Sequence, residues 1–126
     1  MNTPKELKYT KTHEWIREED GLYVLGITDF AQDALGSLVF VNLPEVDDEF
    51  EAGDAFCDVE SVKAVSDVMT PITGRVVEIN EELLDAPELL NEDPYGAWIA
   101  KFEGEIEEEL MDADEYEEFC ENESEE

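Results

Sequence analysis

Lys63 is the residue whose setting in the sequence is most suggestive of chemistry. It is the only basic residue between Arg17 and Arg75, in a chain with 7 Lys and Arg against 37 Asp and Glu. Valines recur among polar residues over 58–68, a pattern that predicts two strands joined by a tight turn with the lysine at its tip. Most lysines are simply solvated surface side chains, and composition alone favours that reading. The alternative is a covalently modified lysine, whose nitrogen lies in an amide and whose methylenes form a flexible stem.

The other candidate reactive groups are few. His13 is the only histidine; it lies close to Trp15, so we expect a structural role, and no metal site is expected because one histidine cannot build it. Cys57 and Cys120 are far apart and lack a CxxC spacing. They are predicted to be buried, reduced thiols, with a disulfide as the alternative. No general acid, base or nucleophile is evident among these residues.

Short β-type segments account for most of the predicted structure. They are rich in Val, Ile, Phe and Trp, and turns containing Gly or Pro separate them. The predicted segments are Leu22–Ile27, Leu38–Leu43, Ala55–Val62, Arg75–Ile79 and Ala97–Phe102.

Two helical regions interrupt this pattern. Thr28 is suited to cap a short helix over Asp29–Leu35 that ends at Gly36. Apolar residues at helical spacing predict an acidic C-terminal helical segment over about residues 104–120, followed by a frayed tail over 121–126.

A weak internal repeat relates Gly36–Asn42 to Gly74–Asn80. It is either a chance coincidence or a sign of two similar β-units packed face to face, an arrangement that removes exposed strand edges. The length of 126 residues predicts one domain, 1–126.

The formal net charge of −30 excludes two classes of partner. Nucleic acids and anionic membranes are bound by clustered Lys and Arg, which this chain lacks. The 42% hydrophobic and 10% aromatic content still suffices for a core. Adaptation to high salt and recognition of a basic partner both explain the acidity. We favour high salt, which predicts that stability rises with KCl. With no signal-type or membrane-spanning apolar run, we expect a cytoplasmic protein.

The hairpin around Lys63 also carries a family resemblance. Glu60–Val68 closely resembles the lipoyl-attachment hairpin of glycine cleavage system H proteins, and further motifs of that family extend the resemblance from about residue 9 to 119. These motifs are Thr12–Trp15, Gly26–Gly36, Val39–Pro44, Pro71–Gly74, Val77–Asn80, Asn91–Gly96 and Tyr116–Phe119.

The resemblance implies an all-β flattened barrel-sandwich of two antiparallel sheets, with short helices and a C-terminal helix. It implies that Lys63 carries lipoate in amide linkage. The lipoyl arm would accept an aminomethyl group from glycine decarboxylase (P protein) and pass it to a tetrahydrofolate-dependent aminomethyltransferase (T protein). Dihydrolipoamide dehydrogenase (L protein) would reoxidise the arm, and a lipoylating enzyme would install it. The chain would be a non-catalytic carrier.

Further residues match functional positions of the family. Glu60 and Gly74 match recognition marks for the lipoylating enzyme, although a turn with positive φ is an alternative reason for Gly74. Thr12, Glu14 and Asp67 match positions where the loaded, amine-bearing arm docks, and carboxylates beside an ammonium make physical sense.

Two departures from the family pattern occur away from the hairpin. Asp47 and Asp48 stand where a glycine turn is common, and the stretch over residues 94–98 is one residue shorter than usual.

Two alternative functions stay open. In these alternatives the chain is either a lipoyl relay that donates its group to other enzymes, or an interaction module without any modification. Biotin carriers fit less well, because their lysine typically lies between methionines, whereas Lys63 lies between Val62 and Ala64. Acyltransferase lipoyl domains also fit less well, because they usually have an Asp directly before the lysine, where this chain has Val62.

Overall fold

The computed structural model describes residues 3–124, with side chains over 3–122. Two antiparallel sheets form the fold, as predicted. In spatial order, the six-stranded sheet contains β1 (Lys8–Tyr9), β2 (Glu14–Glu19), β3 (Leu22–Ile27), β9 (Ala100–Ile106), β8 (Ile72–Ile79) and β5 (Glu49–Phe50). The three-stranded sheet contains β4 (Leu38–Asn42), β6 (Ala55–Ser61) and β7 (Val65–Met69). The helices are α1 (Asp29–Leu35), α2 (Glu82–Asp85), α3 (Leu89–Glu92) and α4 (Ala113–Ser124).

The main core lies between the two sheets. Val41 and Val59 from the three-stranded sheet and Ile72 and Val76 from the six-stranded sheet are fully buried in one cluster. Successive side chains of a strand point to opposite faces. The second face of β2 and β3 is not open to solvent over its whole length, because another cluster covers part of it.

A second cluster lies beneath α4. Tyr9 and Tyr116 stack with ring centroids 4.7 Å apart and an interplanar angle of 10°. Trp15 and Cys120 are buried in the same cluster. The C-terminal helix therefore covers the outer side of the first strands with its apolar face. Within the described residues, no helix combines the length and apolar character needed to cross a membrane.

The prediction for α1 is confirmed at both ends. Thr28 Oγ1 accepts a hydrogen bond of 3.2 Å from Ala31 N, and Gly36 N donates to Gln32 O over 3.0 Å. Gly36 has φ +81° and ψ −161°, a backbone conformation that glycine adopts much more readily than residues with a Cβ.

The predicted C-terminal segment over 104–120 is wrong at its start. Residues 104–106 belong to β9, in which Ile106 pairs with Ile72 and Glu105 with Thr73, and the helix begins only at Ala113. Ladder hydrogen bonds to β8 outweigh the local helical spacing. The same strand replaces the predicted Ala97–Phe102. Residues 121–124 are helical instead of frayed, and 125–126 lie outside the described residues.

The two repeat segments belong to different sheets. Leu38 of β4 and Val76 of β8 occupy equivalent positions in the repeat, and both are buried in the main core. Their leading glycines differ, however, because Gly36 has a positive φ and Gly74 does not.

Candidate functional site: the Lys63 hairpin and the Glu14 cleft

The turn that joins β6 to β7 is fixed by its own hydrogen bonds. Ser61 N donates to Ala64 O over 2.8 Å. Ser61 Oγ accepts from Lys63 N at 3.2 Å and from Ala64 N at 3.0 Å. A serine side chain that satisfies backbone N–H groups in this way stabilises a tight turn. The sequence prediction of a hairpin with Lys63 at its tip is therefore confirmed.

The side chain of Lys63 is exposed and makes no ion pair within residues 3–122. It passes over Gly36, where an added Cβ would lie 3.5 Å from Lys63 Cε and 3.9 Å from Nζ. The neighbouring Val62 and Val65 are 75% and 65% exposed. An amine held at a fixed turn, open to solvent and without a paired carboxylate, is accessible to a modifying enzyme.

Glu60 and Asp67 lie on the strands that lead to this tip. In the register of the three-stranded sheet, Glu60 pairs with both Phe40 and Val65, so two exposed apolar side chains flank it. Asp67 pairs with Asp58, which places two carboxylates directly opposite each other.

A second group of predicted residues meets around Glu14, at the start of β2. Glu14 is 1% exposed. Its Oε1 accepts hydrogen bonds from Thr12 Oγ1 and, over 2.6 Å, from Thr10 Oγ1. Its Oε2 accepts from Met69 N over 3.2 Å. Thr10, whose hydroxyl also accepts from Glu14 N over 3.1 Å, was not predicted as a site residue. Nothing in the local sequence distinguishes this threonine from one with no role in the site.

Burial sets the protonation of this carboxyl. Removal from water raises the pKa of Glu14 to about 7, although the hydrogen bonds from Thr10, Thr12 and Met69 oppose the change. The nearby charge of Glu108 adds to the increase. At neutral pH this carboxyl is therefore protonated in a much larger fraction of molecules than an exposed glutamate.

A cleft of about 420 Å³ lies next to Thr12 and Met69, two of the residues that donate hydrogen bonds to Glu14, although Glu14 itself does not line it. It is lined by Lys11, Thr12, Gly53, Met69, Glu108 and Glu109. Asp67 does not line it; instead it borders a depression of about 210 Å³ that also contains Asn42 and Asp58. The structure therefore brings Thr12 and Glu14 together and places Asp67 two residues before Met69, on a neighbouring surface.

Gly74 lies within β8 and pairs with Gly104 of β9 and Phe50 of β5. A Cβ at Gly74 would approach the backbone oxygen of Glu103 to 1.9 Å. The alternative explanation of a positive φ is wrong; the absence of a side chain serves the close approach of two strands.

Asp47 and Asp48, which stand where a glycine turn is common in the family, are held by their own contacts. Asp47 has φ +80°, in the region that aspartate tolerates better than most residues. Its carboxylate pairs with Arg75, which also binds Glu103 over 2.7 Å. Asp48 Oδ2 accepts from Glu45 N over 3.0 Å.

His13 and the two cysteines are packed into the structure. His13 Nδ1 and Tyr116 Oη are 2.7 Å apart, and the imidazole stacks on Phe30 with centroids 4.7 Å apart. Cys57 and Cys120 are buried in different clusters and are not joined in a disulfide, as predicted. Among the described residues, no three His, Cys, Asp or Glu side chains group to hold a metal ion.

Comparisons with known proteins agree on one family. The family model described as glycine cleavage H-protein matches residues 7–123. A glycine cleavage system H protein of Lachnoclostridium phytofermentans is 58% identical, over 99% of this chain and 100% of the relative. A probable glycine cleavage system H protein of Pyrococcus horikoshii is also 58% identical, over 90% of this chain and 88% of the relative.

A solved structure agrees as well. The crystal structure of a glycine cleavage system H protein from Mycobacterium marinum superposes with a TM-score of 0.88 at 40% identity, covering 94% of this chain and 98% of that one. The match of fold and sequence over nearly the whole length shows that this chain belongs to the glycine cleavage H-protein family.

Proposed function

We propose that this chain is the lipoyl carrier of a glycine cleavage system, with lipoate in amide linkage to Lys63 Nζ. The observation that carries the proposal is the exposed, unpaired amine of Lys63 at the tip of a hydrogen-bonded hairpin, in a member of the H-protein family. No carboxylate of the described residues pairs with this amine, so its conversion to a neutral amide breaks no ion pair.

The bound lipoyl group would supply a dithiolane that accepts an aminomethyl group and later releases it. This chain supplies position. The turn around Ser61 holds the attachment point still, while the lysine stem lets the arm reach different partners. Tethering raises the local concentration of the arm at each partner site. The proposed partners are glycine decarboxylase, aminomethyltransferase, dihydrolipoamide dehydrogenase and a lipoylating enzyme. Cys57 and Cys120 are buried thiols that are not joined in a disulfide, which suits a reducing compartment such as the cytoplasm.

The cleft beside Glu14 is the proposed resting place of the loaded, amine-bearing arm. An ammonium group near the Glu14 carboxylate would favour its ionised form and form charge-assisted hydrogen bonds. Thr12 lines the same cleft and contacts the same carboxylate. Asp67 would act from the adjoining surface.

Glu60 and Gly74 are proposed marks for the lipoylating enzyme. Glu60 has a carboxylate on the strand that leads to the lysine, where an enzyme bound at the tip would contact it. For Gly74, the close approach of β8 and β9 supports an indirect role, in which the glycine promotes lipoylation by keeping the fold intact.

Intact-mass measurement of the native protein, taken from cells with active lipoylation, tests the carrier function. The expected result is the added mass of one lipoyl group, lost in Lys63→Arg. Lys8→Arg is the matched control, because Lys8 is also exposed and unpaired within the described residues, and it should keep the mass. An unmodified chain, or a modification that persists in Lys63→Arg, would refute the proposal.

A further inference from the structure

The segment Asn91–Gly96 is a family-like motif to which the carrier role gives no task. It begins in α3 and runs into the following turn. Pro94 O accepts a hydrogen bond from Trp15 Nε1 over 2.9 Å, and Tyr95 Oη accepts from Asp29 N over 3.0 Å. The motif therefore ties the start of α1 and strand β2 to one turn.

Asn91 acts at the other end of α1. Its Nδ2 donates to Gly36 O over 2.9 Å and to Gln32 Oε1 over 3.0 Å. Its Oδ1 accepts from Leu38 N over 2.9 Å. Both donors of the amide and one acceptor site are thus used, on one residue of α1, one of the connection after it and the first residue of β4.

That connection is the support of the lysine hairpin. Ser37 O accepts a hydrogen bond of 3.3 Å from Val62 N, the residue before the lysine. Leu38 pairs with Ser61, which closes the turn. The Lys63 stem passes over Gly36, as described above. Of the residues held by or between the Asn91 contacts, Ser37 and Leu38 bond or pair with the hairpin directly, and Gly36 lies beneath the Lys63 stem.

We propose that Asn91 is a positioning residue for Lys63: its amide fixes the position of residues 36–38, and this supporting segment in turn contacts the lysine hairpin. The consequence for group transfer depends on the proposed carrier function, whereas the effect on the hairpin does not. An asparagine is required, since the site needs two donors and one acceptor on a short side chain. Aspartate would keep the acceptor for Leu38 N but place a carboxylate against the oxygens of Gly36 and Gln32.

Hydrogen exchange at the hairpin tests the structural half of the proposal. Asn91→Ala and Asn91→Asp are compared with Asn80→Ala and Asn80→Asp at matched global stability. Asn80 is a matched control because it is also half-buried and its Nδ2 donates to Trp98 O, away from the hairpin. We expect exchange at Val62 N to be about tenfold faster in both Asn91 variants and unchanged in both controls.

Lipoyl attachment kinetics test the functional half. If residues 36–38 become mobile, a smaller fraction of molecules holds the hairpin in its binding-competent position. The apparent affinity of the lipoylating enzyme for the chain then falls in proportion. The KM of the lipoylating enzyme for the chain should therefore rise by about three- to tenfold in Asn91→Asp. The kcat should stay unchanged, because the lysine itself is intact.

The outcomes separate the two proposals. Equal exchange at Val62 N in Asn91 and Asn80 variants would overturn the positioning role, whatever the state of the lysine. Faster exchange with an unchanged KM would confine Asn91 to a structural role and overturn the positioning of Lys63 for reaction. A native chain that is never lipoylated would refute the carrier function but leave the exchange result standing. If Asn91→Ala does not fold, Asn91→Asp still decides.

Discussion

Oε2 of Glu14 accepts a hydrogen bond of 3.2 Å from the backbone N–H of Met69. Glu14 begins β2 of the six-stranded sheet, and Met69 ends β7, the second strand of the lysine hairpin. One buried carboxyl group therefore joins the two sheets at the base of the hairpin that carries Lys63. Its protonation affects both the stability of the fold and the cleft beside it.

The raised pKa of Glu14 predicts that its contribution to stability falls as pH rises. The ordinary value is 4.5 and the folded value about 7, so the folded state holds more protons than the unfolded state between these values. The contribution is complete below pH 4.5, declines through the window and is lost above pH 7. The full change is about 3 kcal/mol in the free energy of unfolding, measured by chemical denaturation at constant molar KCl.

Glu14→Gln supplies the control for this prediction. The variant cannot titrate at this position, so the pH slope attributed to Glu14 should disappear between pH 4.5 and 7. The other carboxylates contribute equally to both proteins, and the difference between the two slopes isolates Glu14. Parallel slopes in the two proteins would contradict a buried, titrating Glu14.

Gly74→Ala should destabilise the protein by about 3 kcal/mol, because the new methyl group forces β8 and β9 apart. The added Cβ would lie 1.9 Å from Glu103 O. Gly21→Ala is the comparison: Gly21 has φ +79° with open space around it, so only about 1 kcal/mol of backbone strain is expected.

The same variant separates fold from recognition. Below its lowered unfolding temperature, Gly74→Ala should still be lipoylated if glycine acts only through strand packing. A stable but unlipoylated Gly74→Ala would instead assign Gly74 a direct part in recognition. Denaturation curves and intact mass on the same samples distinguish these outcomes.

Tyr116→Phe should lower the free energy of unfolding by about 2 kcal/mol, since it removes one hydroxyl from two buried contacts. Tyr116 Oη lies 2.7 Å from both Thr28 Oγ1 and His13 Nδ1, and so links α4 to the cap of α1 and to the residue that precedes β2. Tyr23→Phe is the control, because no hydrogen bond of its hydroxyl is found in the described residues. Equal effects of the two changes would refute the linking role of α4.

Salt should stabilise the fold by screening like charges. Asp58 and Asp67 face each other across β6 and β7, and directly opposed like charges destabilise a sheet. We expect the melting temperature to rise steeply from low to molar KCl, and Asp67→Asn to reduce that dependence. At molar salt the Debye length is about 3 Å, so most of the repulsion between neighbouring carboxylates is screened. A melting temperature independent of KCl would exclude the high-salt explanation of the acidity.

Local signals predicted several elements accurately. The strand Leu22–Ile27, the helix Asp29–Leu35 and the hairpin around Lys63 are all present as expected. Their caps, turns and alternation act over a few residues, so the local sequence suffices. The strand β9 was misplaced because its pairing with β8 is a long-range choice, and the short strands β1 and β5 carry too few residues for a pattern.

The candidate site divides in the same way. Lys63 was found because its type contrasts with an acidic neighbourhood. Thr10 and Asn91 were not assigned roles, because their importance lies in partners distant in sequence: Asn91 contacts Gly36 and Leu38. Asp67 was grouped with Glu14, yet strand geometry turns its side chain to the Asp58 surface.

The sequence by itself determined the hairpin lysine, the short helix after Thr28, the two-sheet fold through family resemblance, and an acidic, solvated surface. Residue type and near-neighbour spacing encode these features directly. Only the tertiary structure decided that Glu14 is buried and raised in pKa, that Gly74 is needed for strand contact, and that Asn91 supports the lysine. Burial and hydrogen-bond partners depend on segments far apart in the chain, and they exist only once both sheets have closed around the core.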